Sequence, residues 1–439
     1  APDFDVCYDS GTMKNSVSDV RTHERGCCIR RLSRRTPIVL VAILLFFLGL
    51  GSTFGDTVPR GDETAPPPEL EANAAVLIDF ETGAVLYERD PAEVIPPASL
   101  TKLVSIHVAC LAEAAGEFSF SDYVALPPET WAQNQEPGSS LMFLGPGQRV
   151  TYWEVLEGLA ISSGNDAAVA LAVNVAGSVE AFAERMNEAV KAMGLEDTVF
   201  VEPSGISENN LTTAADMARF SREYIRLWPE NLPRLHDLEE FAYPKPRNRA
   251  DGDISPPIVQ RNRNLLVFRR NDVDGLKTGF IVESGYNLAA TATSGERRLI
   301  AVVLGVPGDG HSDGGENRAA EAAALLDWGF AEFDNVTLGY PEPDPIPVFG
   351  GDRDELVVVP DGPAVVTLAR DAVPSLTGRV ELPEYVEAPI DEGALVGSVV
   401  FETGDQVVAE VPLRADLAVT EGGFFKRLWD GIRLFFRNL

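Results

Sequence analysis

Three features of the sequence predict an α+β domain, an antiparallel sheet with helices, followed by a small all-β domain. Strand-like runs stand at both ends of residues 71–334, helical patterns fill the stretch between them, and short valine-rich runs take over from about residue 335. Strands at both ends with helices between them imply one sheet covered by helices. Valine-rich runs parted by Pro, Gly and Asp imply a unit built from strands alone.

The elements follow in order. Residues 1–36 are a basic segment that ends in the arginine cluster at 30–35. Residues 37–55 are apolar and carry no charge until Asp56. A basic flank, an apolar run and small residues beyond it predict a signal peptide, with cleavage after Gly51 or Gly55. The same run approaches the ~20 residues of a membrane span, so an uncleaved anchor is the alternative. In either case the arginines stay cytoplasmic and everything after residue 55 is exported. Residues 56–70 form a linker rich in Pro, Gly and charge. A hairpin is predicted at 74–88 around a Thr-Gly turn, then helices from Ala98 to about Ala115, over 153–177, over 179–194 and from near Thr212. A second hairpin falls at 285–306, and a helix around 316–332 closes the domain at residue 334. Residues 335–420 are the β-rich domain. Residues 421–439 form an amphipathic helix: Phe425, Leu428, Trp429, Ile432, Phe435, Phe436 and Leu439 fall on one face, and Lys426, Arg427, Asp430, Arg433 and Arg437 mostly on the other. Bulky apolar groups opposite basic ones, on an otherwise acidic chain, predict a helix that lies on a membrane surface.

Composition excludes several classes of function. The net charge is −31. A surface this acidic cannot neutralise phosphates, so nucleic acid is excluded as a partner. Cys7, Cys27 and Cys28 precede the apolar run, which leaves Cys110 alone in the exported part with no disulfide partner. It lies among apolar residues and reads as a small core side chain. The histidines His23, His107, His236 and His311 sit in no triad setting. No metal-ligand spacing or phosphate loop is present, so no cofactor is implied.

Three short motifs carry chemistry. Ser99-Leu100-Thr101-Lys102 follows two prolines and an alanine at a predicted helix start. Three residues is nearly one helical turn, so Ser99 and Lys102 project from the same face. A serine hydroxyl needs a base to take its proton. A lysine amine, at about 10.4 in water, becomes that base only when burial and nearby positive charge depress it. Ser163-Gly164-Asn165 offers a hydroxyl and an amide on a turn beside a helix. Lys277-Thr278-Gly279 lies in a strand context, with two groups able to bind a carboxylate and a glycine that permits close approach. Each motif alone is common; the three in this order, within one exported domain, form a known signature of penicillin-binding proteins and class A β-lactamases.

From about residue 70 to 435 the chain resembles the low-molecular-mass penicillin-binding proteins, the serine D-alanyl-D-alanine carboxypeptidase family. The family-like stretches are PPASLTKL at 96–103, SSLMFLGPGQRV at 139–150, SGNDAAVALA at 163–172, TTAADMA at 212–218 and DGLKTG at 274–279. The resemblance implies a penicillin-binding/β-lactamase-like transpeptidase fold followed by the β domain and the membrane helix. It implies that Ser99 forms an acyl-enzyme with a peptidoglycan stem pentapeptide and releases the terminal D-Ala, with Lys102 as general base. Ser163 then relays a proton, Asn165 holds the substrate amide, Lys277 and Thr278 bind the terminal carboxylate, and Gly279 allows the approach. The N–H groups of Ser99 and Phe280 form the oxyanion hole. β-Lactam antibiotics are implied as inhibitors, and the outer face of the cytoplasmic membrane as the location. Two departures stand out: Phe280 and Ile281 follow the third motif where relatives have His or Thr, and Ser204 stands where some relatives have His. A DD-endopeptidase uses the same residues. A β-lactamase expects Asp at position 164 and a deacylating glutamate, a role for which Glu202 is poorly set. An inactive wall-binding scaffold would have lost catalytic residues that are all present here.

Overall fold

The computed structural model describes residues 57–437 other than 62 and 363. The basic segment and the apolar run at 1–55 lie outside the described residues, so the signal or anchor reading rests on sequence alone.

The α+β expectation holds. The central sheet has five antiparallel strands: β1 (Ala74–Asp79), β2 (Val85–Arg89) and, after the pair β3 (Glu240–Tyr243) and β4 (Ile258–Arg261) that forms a separate ribbon, β5 (Val273–Ile281), β6 (Gly285–Ser294) and β7 (Arg297–Val306). Their order is β2-β1-β7-β6-β5, so β5 is an edge strand. Successive side chains of a strand point to opposite faces. Ala74, Val76 and Ile78 of β1 enter one core while Ala75 and Leu77 enter another. In β7, Ile300, Val302 and Leu304 join the first core and Leu299, Ala301 and Val303 the second. A strand buried on both faces reads as a continuous apolar run, which is why these segments lack polar alternation.

The first core is covered by helices α1 (Thr101–Ala114), α2 (Tyr152–Glu157), α3 (Asn165–Ala176), α4 (Val179–Ala192) and α5 (Ala214–Leu227). Thr151, Ser178 and Thr213 cap α2, α4 and α5 through their hydroxyls, satisfying N–H groups that the first turn leaves open. The second core is closed by α6 (His311–Glu332), which starts five residues before the position read from sequence. The helix expected over 153–177 is broken: α2 passes into a wider turn at Gly158–Ser162, and Ser163 adopts a left-handed φ of 58°. A helix cannot continue through that conformation, and the break turns Ser163 inward.

Past α6, strand 333–337 pairs with 365–369. A four-stranded sheet (358–360, 406–415, 395–403 and 376–381 in spatial order) and a smaller three-stranded one enclose a third core around Val399, Phe401 and Leu413. A polar bridge ties this part to the central sheet. Buried Asp79 accepts from Asn335 Nδ2 at 3.0 Å, and Thr82 and Thr367 share a 2.6 Å hydroxyl contact.

The last helix, α7 (Phe424–Arg437), turns its polar side to the protein. Asp430 is buried and accepts from Gly350 N at 3.0 Å, and Arg437 pairs with Glu384 at 3.2 Å. Phe425, Trp429 and Phe436 are 83%, 63% and 70% exposed, the reverse of an ordinary packed amphipathic helix. Among the described residues no single helix is long and apolar enough to cross a membrane.

Candidate active site

Where α1 meets β5 a cleft of about 670 Å³ opens, bounded on one side by residues 137–140 and Asn165 and on the other by residues 278–286 and the start of α6. All three motifs meet in it.

Ser99 lies in a 3-10 turn, Ala98–Leu100, that leads into α1. Ala98 holds a positive φ of 51°, a conformation costly for a residue with a Cβ. Two glycines crowd this turn. A Cβ on Gly205 would lie 1.8 Å from the Ala98 carbonyl oxygen, and one on Gly279 would lie 2.6 Å from Pro97 O and 3.2 Å from Ser99 N. The Ser99 turn is therefore gripped between two backbones, each of which reaches it only because it lacks a side chain. Asn287 of β6 adds a tie, donating from Nδ2 to Pro96 O at 3.1 Å.

Lys102 is fully buried one turn along. Its Nζ donates to Ser99 Oγ at 3.1 Å, to Asn165 Oδ1 at 2.9 Å and to the carbonyl of Ser204. Burial holds its amine down at about 7, with Glu202 and Asp166 opposing the fall and nearby Arg263 adding to it. The depression required of a lysine base is thus present, and desolvation is its main cause.

Asn165 starts α3, and Ser163 is presented by the left-handed turn just before it. Gly164 between them could not be Asp here: a Cβ would stand 2.8 Å from Met142 N. The following residue, Asp166, is buried and accepts from the N–H groups of Met142, Phe143 and Leu144 at 2.7, 2.8 and 2.9 Å. Its carboxylate fixes residues 139–144 against α3; burial raises its proton affinity and those N–H groups pull it back.

Lys277 on β5 is buried and donates to Ser163 Oγ at 3.0 Å. Its amine lies well below the ordinary range because of burial, then of the charges of Lys102, Arg263 and Arg318. Two lysine hydrogen bonds therefore join the three motifs into one network: Lys102 to Asn165 and Lys277 to Ser163. Thr278 and Gly279 continue along the open edge of β5, and Phe280 stacks on Tyr286 with ring centroids 4.3 Å apart. His311 packs edge-on to Phe280 at 4.8 Å.

Sequence reasoning missed several members of this site. Arg263 and Arg318 line the cleft, and buried Arg318 donates to Gly279 O at 2.9 Å. One follows β4 and the other lies on α6, so no local motif joins them to residue 277; an arginine at position 318 among alanines was the available signal. Ser204 enters through its backbone carbonyl, which no side-chain pattern reveals. His107 and His236 are buried away from the cleft, and Cys110 is a buried free thiol pushed up to about 12 by desolvation. Among the described residues no cluster could hold a metal ion. The arrangement sets the Ser99 hydroxyl beside a buried lysine amine, with Lys277, Arg263 and Arg318 close by.

Residues 61–308 match the D-alanyl-D-alanine carboxypeptidase family, and residues 341–421 match the C-terminal domain of penicillin-binding protein 5. The D-alanyl-D-alanine carboxypeptidase DacC of Escherichia coli is 36% identical over 406 residues, covering 90% of this chain and 97% of that protein. The solved structure of penicillin-binding protein 5 from Haemophilus influenzae superposes with a TM-score of 0.71 at 32% identity, over 81% of this chain and all of that one. Penicillin-binding protein D2 of Listeria monocytogenes, in its cefotaxime-bound form, gives a TM-score of 0.52 at 26% identity over 61% of this chain and all of that one.

Proposed function

Because the chain belongs to the D-alanyl-D-alanine carboxypeptidase family, we propose that Ser99 is its nucleophile and Lys102 the base that activates it. The protein is a serine-type D-Ala-D-Ala carboxypeptidase of the penicillin-binding fold; it removes the terminal D-Ala from peptidoglycan stem peptides and binds penicillin. The observation that supports the residue roles is the contact of the buried, depressed amine of Lys102 with Ser99 Oγ.

In this reading neutral Lys102 takes the Ser99 proton as Oγ attacks the carbonyl carbon of the penultimate D-Ala. The N–H groups of Ser99 and Phe280 hold the oxyanion, the term that commonly contributes most in acyl transfer. Gly279 makes that pair reachable by letting β5 close on the turn. The tetrahedral species expels the amine of the last D-Ala, which takes its proton through Ser163 from the lysine pair. Asn165 holds the substrate amide and one hydrogen of Lys102. Thr278 and Lys277 bind the terminal carboxylate, with Arg263 and Arg318 adding positive potential. Water then attacks the acyl carbon, deprotonated by the same lysine. In a β-lactam the expelled nitrogen stays tethered to the acyl group, which slows the water step.

We further assign the chain as a basic cytoplasmic segment (1–36), an export segment (37–55), a linker (56–70), a catalytic domain (71–334), a β domain (335–420) and a surface helix (421–439). The outward aromatic face of α7 supports a site on the outer face of the cytoplasmic membrane, since apolar groups that face water gain free energy at a bilayer interface. The test uses residues 56–439, a fluorescent penicillin and a diacetyl-Lys-D-Ala-D-Ala peptide. Stable labelling with D-Ala release is the expected result, and Ser99→Ala abolishes both. Labelling without release would move the reading to an endopeptidase or a scaffold, and fast penicillin hydrolysis to a β-lactamase.

A further inference from the structure

We propose that Glu202 is a positioning residue for the general base, because its carboxylate builds the turn that delivers the Ser204 carbonyl to Lys102. The inference rests on Ser99 and Lys102 being nucleophile and base.

The chemistry of the amine sets the requirement. A neutral lysine has two N–H hydrogens and one lone pair. To take the Ser99 proton, the lone pair must face Ser99 Oγ, so both hydrogens need acceptors elsewhere. Asn165 Oδ1 is one acceptor and Ser204 O is the other. Remove the second and the amine rotates freely, with its lone pair aimed at the serine only part of the time.

The Ser204 carbonyl is held in place by Glu202. Glu202 Oε2 accepts from Ser204 N and Ser204 Oγ, each at 2.6 Å, and Oε1 accepts from Gly205 N at 2.6 Å and Asn210 Nδ2 at 2.9 Å, with Ser207 N at 3.4 Å. The carboxylate thus closes its own loop around residues 204–207. Two ties seat that loop on α1: Ser105 Oγ donates to Pro203 O at 2.7 Å, and Asn210 Nδ2 to Thr101 Oγ1 at 3.2 Å. Five donors exceed the roughly four acceptor sites of a carboxylate, so Glu202 has none left to activate water. Its effect on the reaction passes through Ser204 and through its charge.

That charge supplies a signature which a merely structural role lacks. The charged groups facing Lys102 are Glu202 from this turn, Asp166 from α3, Arg263 after β4 and Lys277 from β5. The Glu202 anion favours protonated Lys102, so its removal lowers the amine's proton affinity. The acidic limb of the rate profile then moves to lower pH.

The experiment measures the acylation rate by fluorescent penicillin from pH 5 to 9 for the wild type, Glu202→Gln and Glu202→Asp, with thermal unfolding as the folding control. In Glu202→Gln the amide sets a donor against the N–H of Ser204 or Gly205. Acylation slows about tenfold or more, as expected of a misplaced base, and the acidic limb moves down by about half a pH unit or more. Folded Glu202→Gln with a wild-type rate above the limb, or with an unshifted limb, overturns the proposal. Should that variant fail to fold, Glu202→Asp decides: the limb stays in its wild-type place while the rate falls, and a wild-type rate overturns the proposal. A Ser99→Ala control that still labels would instead refute the premise about the nucleophile.

Discussion

The missing Cβ of Gly279 would lie 2.6 Å from the carbonyl oxygen of Pro97, closer than real Cβ atoms approach backbone. β5 and the Ser99 turn therefore touch through bare backbone, and the distance between them is set by the absence of one methyl group. Gly279→Ala must push them apart. Overpacking of this kind costs about 1–3 kcal/mol. Unfolding by denaturant reads that loss, and penicillin acylation falls about a hundredfold or more as the two proposed oxyanion donors separate.

With Lys102 as the proposed base, its amine governs the pH dependence of acylation. In the proposed mechanism the neutral amine is the active form, and burial holds that amine down at about 7. The acylation rate therefore falls about tenfold per unit as pH drops below 7, and it levels off above. Lys102→Arg stays protonated throughout, so it gives no acylation at any pH. Stopped-flow mixing with a chromogenic cephalosporin measures both.

Two buried histidines make the fold sensitive to acid. Burial depresses His107 and His236 to about 4 from an ordinary value near 6.5. In the fold His107 Nδ1 accepts from Trp228 Nε1 at 2.9 Å, and a proton on Nδ1 would abolish that bond. His236 Nε2 meets Tyr224 Oη at 2.8 Å, and Nδ1 meets Leu276 O at 3.0 Å. The unfolded chain binds protons below about pH 6.5 and the folded one resists until about pH 4, so stability falls as pH drops through that window. Thermal unfolding at pH 7, 6 and 5 shows a falling midpoint. His107→Gln, which keeps an acceptor, flattens that slope.

Asp166 holds three consecutive N–H groups. Asp166→Asn turns one acceptor into a donor facing them. A buried donor without a partner costs about 1–3 kcal/mol. The unfolding midpoint drops accordingly. KM for the dipeptide rises as residues 139–144, one wall of the cleft, loosen.

The outward face of α7 predicts its own dissection. Phe425→Glu with Trp429→Glu lowers binding to phospholipid vesicles at least about tenfold, because two large apolar groups leave the interface. Asp430→Ala, which removes the acceptor for Gly350 N and the partner of Arg433 but no apolar group, leaves vesicle binding intact while lowering thermal stability. Co-sedimentation separates the two effects.

The sequence was most legible where function is written in side chains close together. Ser99 and Lys102 are a turn apart, and their pairing needed only helical spacing. The hairpins at β1–β2 and β6–β7 announced themselves through apolar runs around Thr-Gly and Ser-Gly turns. What the sequence hid was either backbone or distant. Ser163 breaks a helix that its neighbours favour by adopting a left-handed φ, and helical periodicity gives no sign of a single residue in that conformation. Ser204 acts through a carbonyl. Arg318 reaches Gly279 from the far side of the sheet, and spacing along the chain carries no trace of such a contact. The ribbon β3–β4 stands outside the elements expected from sequence: its strands are four residues each, and Pro244 and the prolines at 256–257 lie between them.

β5 stands at the end of its sheet, with its open side facing the cleft. Backbone groups left unpaired on a sheet edge will recruit any extended chain, including that of another copy, and most proteins cover or distort such an edge. This one keeps its edge open but sinks it between residues 137–140 and the start of α6. The walls that bound the cleft thereby also flank the open edge, and a mutation that removed them to take bulkier stem peptides would expose a template for self-association.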